Sequence, residues 1–272
     1  PRWKRAVSLV NGSVGEALGE VYVGKYFPPQ SKARMVELIA NIKEALRQAI
    51  TEADWMSEAT RANALVKLDT FEAMVGYPDV WQGYKGLVID RHSLYDNALR
   101  ASQYASRLDL AKIGQPVDRS EWHMTPQTVN AYYSPQTNQI VFPSAILEPP
   151  FFDAQADDAY NYGGIGVVIG HEMTHGFDDK GRKYNALGNV ENWWTEADLA
   201  AFSARVKIII DQFNGFAIAG GKTVNGALVV GEAASDLGGL NLAYRALQKV
   251  LAATGRKTDA NGFTDEQRFF IA

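Results

Sequence analysis

His171-Glu172-Met173-Thr174-His175 sits inside an apolar stretch, Tyr162 to Phe177, that is long enough for a helix and too long for a strand. On a helix, residues four apart share a face, so the two imidazoles can reach one metal ion. Zinc takes nitrogen and oxygen ligands in a near-tetrahedral shell, and this pair supplies two of them. Glu172 follows the first histidine directly. In such helices it projects beside the open position of the metal, where it can take a proton from water. Two histidines leave the shell incomplete, so the reading demands a third protein ligand.

The chain has no cysteine, and the third ligand must therefore be His, Asp or Glu. The extended motif that places a third histidine just downstream fails, because that position holds Gly181. Glu191 and Glu196 lie at plausible spacing, but Glu196 sits in a first helical turn after Thr195, where the helix dipole already accounts for an acid. Gly231-Glu232-Ala233-Ala234-Ser235-Asp236 fits better. Its two acids are four apart on one helical face, so Glu232 can bind metal while Asp236 accepts a hydrogen bond from a ligand imidazole. Asp178 and Asp179 could support a histidine or be solvated acids at a helix end. His92 and His123 read as structural or surface residues. Gly163, Gly164 and Gly166 lack the preceding strand of a nucleotide site and read as close backbone packing.

Away from this centre the chain reads as mainly helical. From Ser31, Met35, Ile39, Ile42, Leu46 and Ile50 mark one buried stripe. A second helix is expected from Ser57 to near Gly76, with Pro78 beyond it, and a third over Leu94 to Leu110. Val129 to Tyr133 and Gln139 to Phe142 are β-branched and aromatic around a polar turn, and predict two strands. Ala145 to Phe152 contains Pro149-Pro150 and predicts an apolar loop. Thr195 with Asp198 opens a helix, Asn225-Gly226 predicts a tight hairpin turn, and the last long helix is expected to begin near Glu232. Thr264 and Gln267 form a capping box for a final helix through Phe269, Phe270 and Ile271, which looks cut short at the chain end.

At 272 residues, 46% hydrophobic and 21% charged, the composition is that of a globular protein with a sizeable core. The net charge of −4 is spread without a basic block, which argues against a nucleic-acid partner. No run approaches the roughly 18 apolar residues of a membrane span. Without cysteine, thiol nucleophiles, disulfides and thiolate metal sites are excluded.

Several motifs in order resemble those of the neprilysin-like zinc endopeptidases, the family of neprilysin, endothelin-converting enzyme and their bacterial oligopeptidase relatives. They are His171 through Asp179, Trp193-Trp194, and Gly231-Glu232 through Asp236-Leu237-Gly238-Gly239-Leu240. Upstream, Val129 to Tyr133, Asn138 to Pro143 and Tyr162 to Gly166 resemble the same family. The resemblance implies a mainly α fold with a small β-sheet, built on a thermolysin-like (gluzincin) core plus additional helices. Residues 1–110 would link to or cap the active site, and residues 111–272 would form a catalytic domain truncated at its C-terminus. It implies His171, His175 and Glu232 as ligands of one Zn2+ ion, Glu172 as general base and Asp236 as the carboxylate orienting a zinc histidine. Asn130 and Ala131 match positions that bind the substrate backbone. Ile146, Phe151, Val167 and Val168 match the pocket for the residue after the scissile bond. The family's transition-state His and substrate-binding Arg would lie beyond Ala272, in missing portions of a longer parent protein.

The implied activity is hydrolysis of internal bonds in short peptides, on the amino side of hydrophobic residues. The implied location is extracytoplasmic, periplasmic or secreted, and the lack of cysteine favours a bacterial relative. Two other readings share these residues: a zinc aminopeptidase, and an inactive peptide-binding fragment or scaffold.

Overall fold

The computed structural model describes residues 1–272, which fall into two compact units. One comprises residues 1–28, 76–129 and 143–145, and the other residues 29–75, 130–142 and 146–272. The units interleave along the chain.

The first unit is built on α1 (Arg2–Tyr26), and its α4 (Leu94–Ala111) is capped by Ser93, whose side chain accepts from the Asp96 amide. Gly15 and Gly19 are buried on α1 beneath residues 125–127, and Gln127 Nε2 donates to the Gly15 carbonyl at 2.9 Å.

The second unit opens with α2 (Pro29–Glu52), where the predicted stripe Met35, Ile39, Ile42, Leu46 and Ile50 is buried throughout. Each such side chain contributes about 1.5–3 kcal/mol by leaving water. Next, α3 (Glu58–Asp69) begins at Ser57 as expected but ends well before Gly76. The following residues form strand β1 (Glu72–Gly76), not helix. The cause lies far along the chain: Asn138 Nδ2 donates to the Lys67 carbonyl at 2.9 Å and to Thr70 Oγ1 at 2.8 Å, and the Glu72 amide donates to the Asn138 carbonyl. A carbonyl that would have continued the helix is thereby engaged by a hairpin tip.

That hairpin joins β2 (Tyr132–Ser134) to β3 (Gln139–Pro143), antiparallel, with Tyr133 opposite Ile140. Asn138 turns the chain with φ 52°, a left-handed conformation that Asn tolerates. The sheet order is β1-β3-β2, so the fully buried β3 is central and β2 is an edge.

After the loop at 144–157 come α5 (Asp158–Asn161), a wider-wound turn over Tyr162–Gly166, and α6 (Val167–His175). Ile165, Ile169 and Met173 form the buried face of this run. Thr195 caps α7 (Glu196–Asn214). The buried Asp198 carboxylate accepts from the Ser57 amide at 2.8 Å and from the hydroxyls of Ser57, Thr60 and Thr195 at 2.5–2.6 Å, fastening the first turn of α7 to that of α3.

A short hairpin, β4 (Ala217–Ile218) and β5 (Lys222–Thr223), turns through Gly220 and Gly221, both at positive φ. The tight turn is therefore not at Asn225-Gly226. Asn225 instead caps α8 (Gly226–Thr254), its Oδ1 accepting from the Ala227 amide, so the last long helix begins well before Glu232. A β-carbon on Gly226 would lie 2.2 Å from the Ile210 carbonyl oxygen, so this glycine answers a packing demand rather than a turn. The Thr264–Gln267 capping box opens α9 (Asp265–Ile271) as expected. No helix is long and apolar enough to cross a membrane.

Candidate metal centre and peptide cleft

Helix α6 carries His171 and His175 one turn apart, and their rings meet edge to face with Nε2 atoms 2.9 Å apart. Helix α8 crosses α6 at backbone contact. A β-carbon on Gly239 would lie 2.4 Å from the Val167 carbonyl oxygen and 2.7 Å from the His171 nitrogen, and one on Gly170 would meet Gly239 Cα at 2.8 Å. Because Glu232, Ser235, Asp236 and Gly239 are spaced three and four apart, the face of α8 that touches α6 is also the face that carries the acids. Glu232 Oε2 lies 3.4 Å from His171 Nε2 and 3.5 Å from His175 Nε2.

Ligands at zinc distances of about 2.0–2.1 Å in a tetrahedral shell stand about 3.3 Å from one another. Two of the three donor separations match this and the imidazole pair is a few tenths of an ångström short. The donor set of two nitrogens and one carboxylate oxygen, all within 4.8 Å, fits a zinc-like cation. Each ring is held from behind. His171 Nδ1 lies 2.8 Å from Asp236 Oδ1, and His175 Nδ1 lies 2.7 Å from Asp178 Oδ2 and 3.1 Å from Ser235 Oγ. Carboxylates on both Nδ1 atoms favour the tautomer that leaves Nε2 free to ligate.

Electrostatics at the site follow from burial and charge. Burial raises the Glu172 carboxyl to a pKa of about 7, and the Glu232 charge adds to the rise, while His175 and a backbone hydrogen bond from Tyr133 oppose it. For His175, burial disfavours the charged ring, but the Asp178 hydrogen bond and charge raise its pKa overall. Asp178 is held below the ordinary carboxylate range: burial works against its charge, and hydrogen bonds from His175, Gly181 and Lys180 outweigh it.

A cleft of about 490 Å3 opens over this centre, and its walls include Asn130, Ala131, Tyr133, Glu172 and Glu232. Asn130 and Ala131 directly precede the edge strand β2, so the predicted backbone-binding positions and the predicted metal residues face one cleft. Ile146, Phe151, Val167 and Val168 are not among its walls. Ile146 is buried, Phe151 is exposed near the surface, and the two valines are half-buried at the start of α6. The sequence left Asp178 undecided between support and solvation, and the structure gives it to His175. It also brings in Ser235 and, behind the turn, Lys67, whose signal was its place on the Thr60, Ala64, Lys67 face of α3.

The close crossing predicts a remote effect. Gly239→Val is expected to cost about 1–3 kcal/mol of stability by overpacking and to weaken zinc uptake by lifting Glu232 from the histidines. Urea unfolding and chelator competition measure the two effects, and wild-type values in both would remove Gly239 from this role.

One model of peptidase family M13 matches residues 130–272, and a second model of the same family matches residues 1–78. The chain belongs to peptidase family M13. It is 38% identical to human endothelin-converting enzyme 1 over 280 residues, covering all of this chain and 36% of that protein. It is 36% identical to neprilysin-3 of Drosophila melanogaster, again over 36% of the relative's length. The inhibitor complex of zinc metalloprotease ZMP1 from Mycobacterium tuberculosis superposes with a TM-score of 0.93 at 49% identity, covering 99% of this chain and 41% of that one. PEPO from Lactobacillus rhamnosis gives 0.87 at 36% identity, over 98% of this chain and 41% of that one. This M13 chain thus spans little more than a third of the length of the curated relatives it matches. The mainly helical architecture with a small sheet is that of its M13 neighbours, as the resemblance implied.

Proposed function

We propose that this M13 chain carries the catalytic centre of a zinc endopeptidase that hydrolyses internal bonds of short peptides on the amino side of hydrophobic residues. The observation that carries the reading is the convergence of His171, His175 and Glu232 donors from two helices on one point. These residues would hold a single zinc ion, with Asp236 orienting His171. Bound zinc supplies a Lewis acid that polarises the scissile carbonyl and acidifies water. Glu172 takes the proton of the attacking water and delivers it to the departing amine, a task suited to a carboxylate whose burial raises its proton affinity. Asn130 and Ala131 bind the extended peptide along the β2 edge, as an added strand would be bound. Ile146, Phe151, Val167 and Val168 match the family's hydrophobic subsite for a bulky side chain after the scissile bond. They do not line this cleft and Ile146 is buried, so the preference for hydrophobic residues rests on the resemblance.

In this reading residues 111–272 hold the chemistry and residues 1–110 supply helices that connect to or cap it. Activity belongs to a full-length M13 protein that includes portions this chain does not span. An extracytoplasmic location rests on the family resemblance alone.

The test uses the full-length gene product and an N-terminally blocked peptide with one internal hydrophobic residue. Internal cleavage that a chelator abolishes and added zinc restores is expected. An aminopeptidase would leave the blocked peptide intact, and a scaffold would bind it without cutting.

A further inference from the structure

Lys67 is 1% exposed, although lysine is among the residues least often buried. Its Nζ lies 2.7 Å from each of three carbonyl oxygens, those of Gly176, Gly181 and Tyr184. All three belong to the segment that leaves the C-terminus of α6 immediately after His175. The rings of Phe177, Tyr133 and Trp193 stand 5.6, 5.8 and 5.9 Å from the ammonium, within cation–π range. No carboxylate pairs with it within salt-bridge distance, although Asp178 is near enough to favour its charge. Burial pulls its pKa down to about 7 and Asp178 opposes that. Three acceptors match the three N–H donors of the charged form, whereas a neutral amine would turn its lone pair on one of them.

Space-filling alone does not account for this arrangement. A buried ammonium is costly to desolvate, and an apolar residue of similar volume would fill the site without that cost. What the ammonium supplies is a three-point tie that joins the C-terminus of α6 at Gly176 to the short 3-10 turn at Gly181–Lys183 and to Tyr184, together with a cation at the negative end of α6. The same turn builds the bed of Asp178: its Oδ1 accepts from the Lys180 amide at 2.8 Å and the Gly181 amide at 2.7 Å, which leaves Oδ2 aimed at His175 Nδ1. The turn is packed against the helix end so closely that a β-carbon on Gly181 would fall 1.8 Å from the His175 carbonyl oxygen.

We infer that Lys67 is a positioning residue of the metal centre, its ammonium holding the 176–184 turn so that Asp178 aims the His175 imidazole at the metal. The inference rests on the zinc reading of the site. It makes α3 a working part of that centre, through a residue that touches neither metal nor substrate.

The experiment compares the full-length wild-type protein with Lys67→Met, Asp178→Asn and the double variant. Zinc affinity is read by chelator competition, and kcat and KM are measured well below each variant's melting temperature. Lys67→Met is expected to fold, to weaken zinc about 10–100-fold, as loss of a support behind a ligand does, and to lower kcat with KM within about twofold. Asp178→Asn is expected to do the same, and the double variant to be no worse than either single one, because both changes cut one chain of contacts. Wild-type zinc affinity in folded Lys67→Met, or losses that add in the double variant, would overturn the inference. If Lys67→Met does not fold, Lys67→Gln takes its place, and failure of both to fold assigns Lys67 to scaffold stability and overturns it likewise. A wild-type protein that takes up no zinc sinks the metal reading itself, and this inference with it.

Discussion

Glu172→Gln in the full-length protein is expected to keep its zinc while turnover falls by about 10²–10⁴-fold, or about 3–5 kcal/mol of barrier. The side chain is 6% exposed and lines the cleft, yet it is not one of the three converging donors. Glutamine has the same shape and can still accept the backbone hydrogen bond from Tyr133, so the local packing has no reason to move. What it loses is the ability to carry a proton. The proposed peptide-binding positions Asn130 and Ala131 are not altered by the substitution, so KM should stay near the wild-type value while kcat carries the loss. Turnover of a blocked peptide and metal content, measured on the same sample, decide the matter. Unchanged turnover would remove Glu172 from the role of base, and loss of metal would make it a structural part of the site instead.

His171→Ala is expected to abolish zinc retention. Its Nε2 is one corner of a three-donor set, and no other imidazole stands beside it except that of His175. The remaining pair, His175 and Glu232, cannot close a shell that needs three protein ligands. The helix itself should survive, because α6 is anchored by Ile169 and Met173 on its other face and His171 is only half-buried. Thermal unfolding with and without zinc separates binding from folding. A ligand at a hundred times its Kd stabilises the folded state by about 2.7 kcal/mol, and that increment should vanish in the variant. A variant that still melts higher in zinc would show that the metal is held elsewhere.

Local patterns are legible in the sequence where one face or one cap suffices. The α2 stripe, the Ser57, Thr195 and Thr264 caps and the β2–β3 hairpin were all legible, because helical and strand periodicity and capping chemistry act within a few residues. Residues 72–76 form a strand because Asn138, far along the chain, captures the carbonyl of Lys67, and Asn225-Gly226 opens a helix because Asn225 caps it and Asn214, at the end of α7, accepts from the Gly226 amide. Asn138 and Asn214 lie outside any local window, whereas the Asn225 cap is a local signal equally compatible with a turn.

For the site, the sequence alone singles out as candidates the histidine pair, the adjacent Glu172, and the acids Glu232 and Asp236, since a spacing of four on a helix is a statement about one face. It could not say that the two helices meet, which depends on Gly170 and Gly239 allowing backbone contact, nor which of Asp178 and Asp179 turns inward. Those outcomes are set by the fold, because they require groups from α3, α6 and α8 to compete for the same few ångströms. The buried Lys67 illustrates the difference: its charge can be read from one letter, but its three carbonyl partners exist only once the turn after α6 has closed over it.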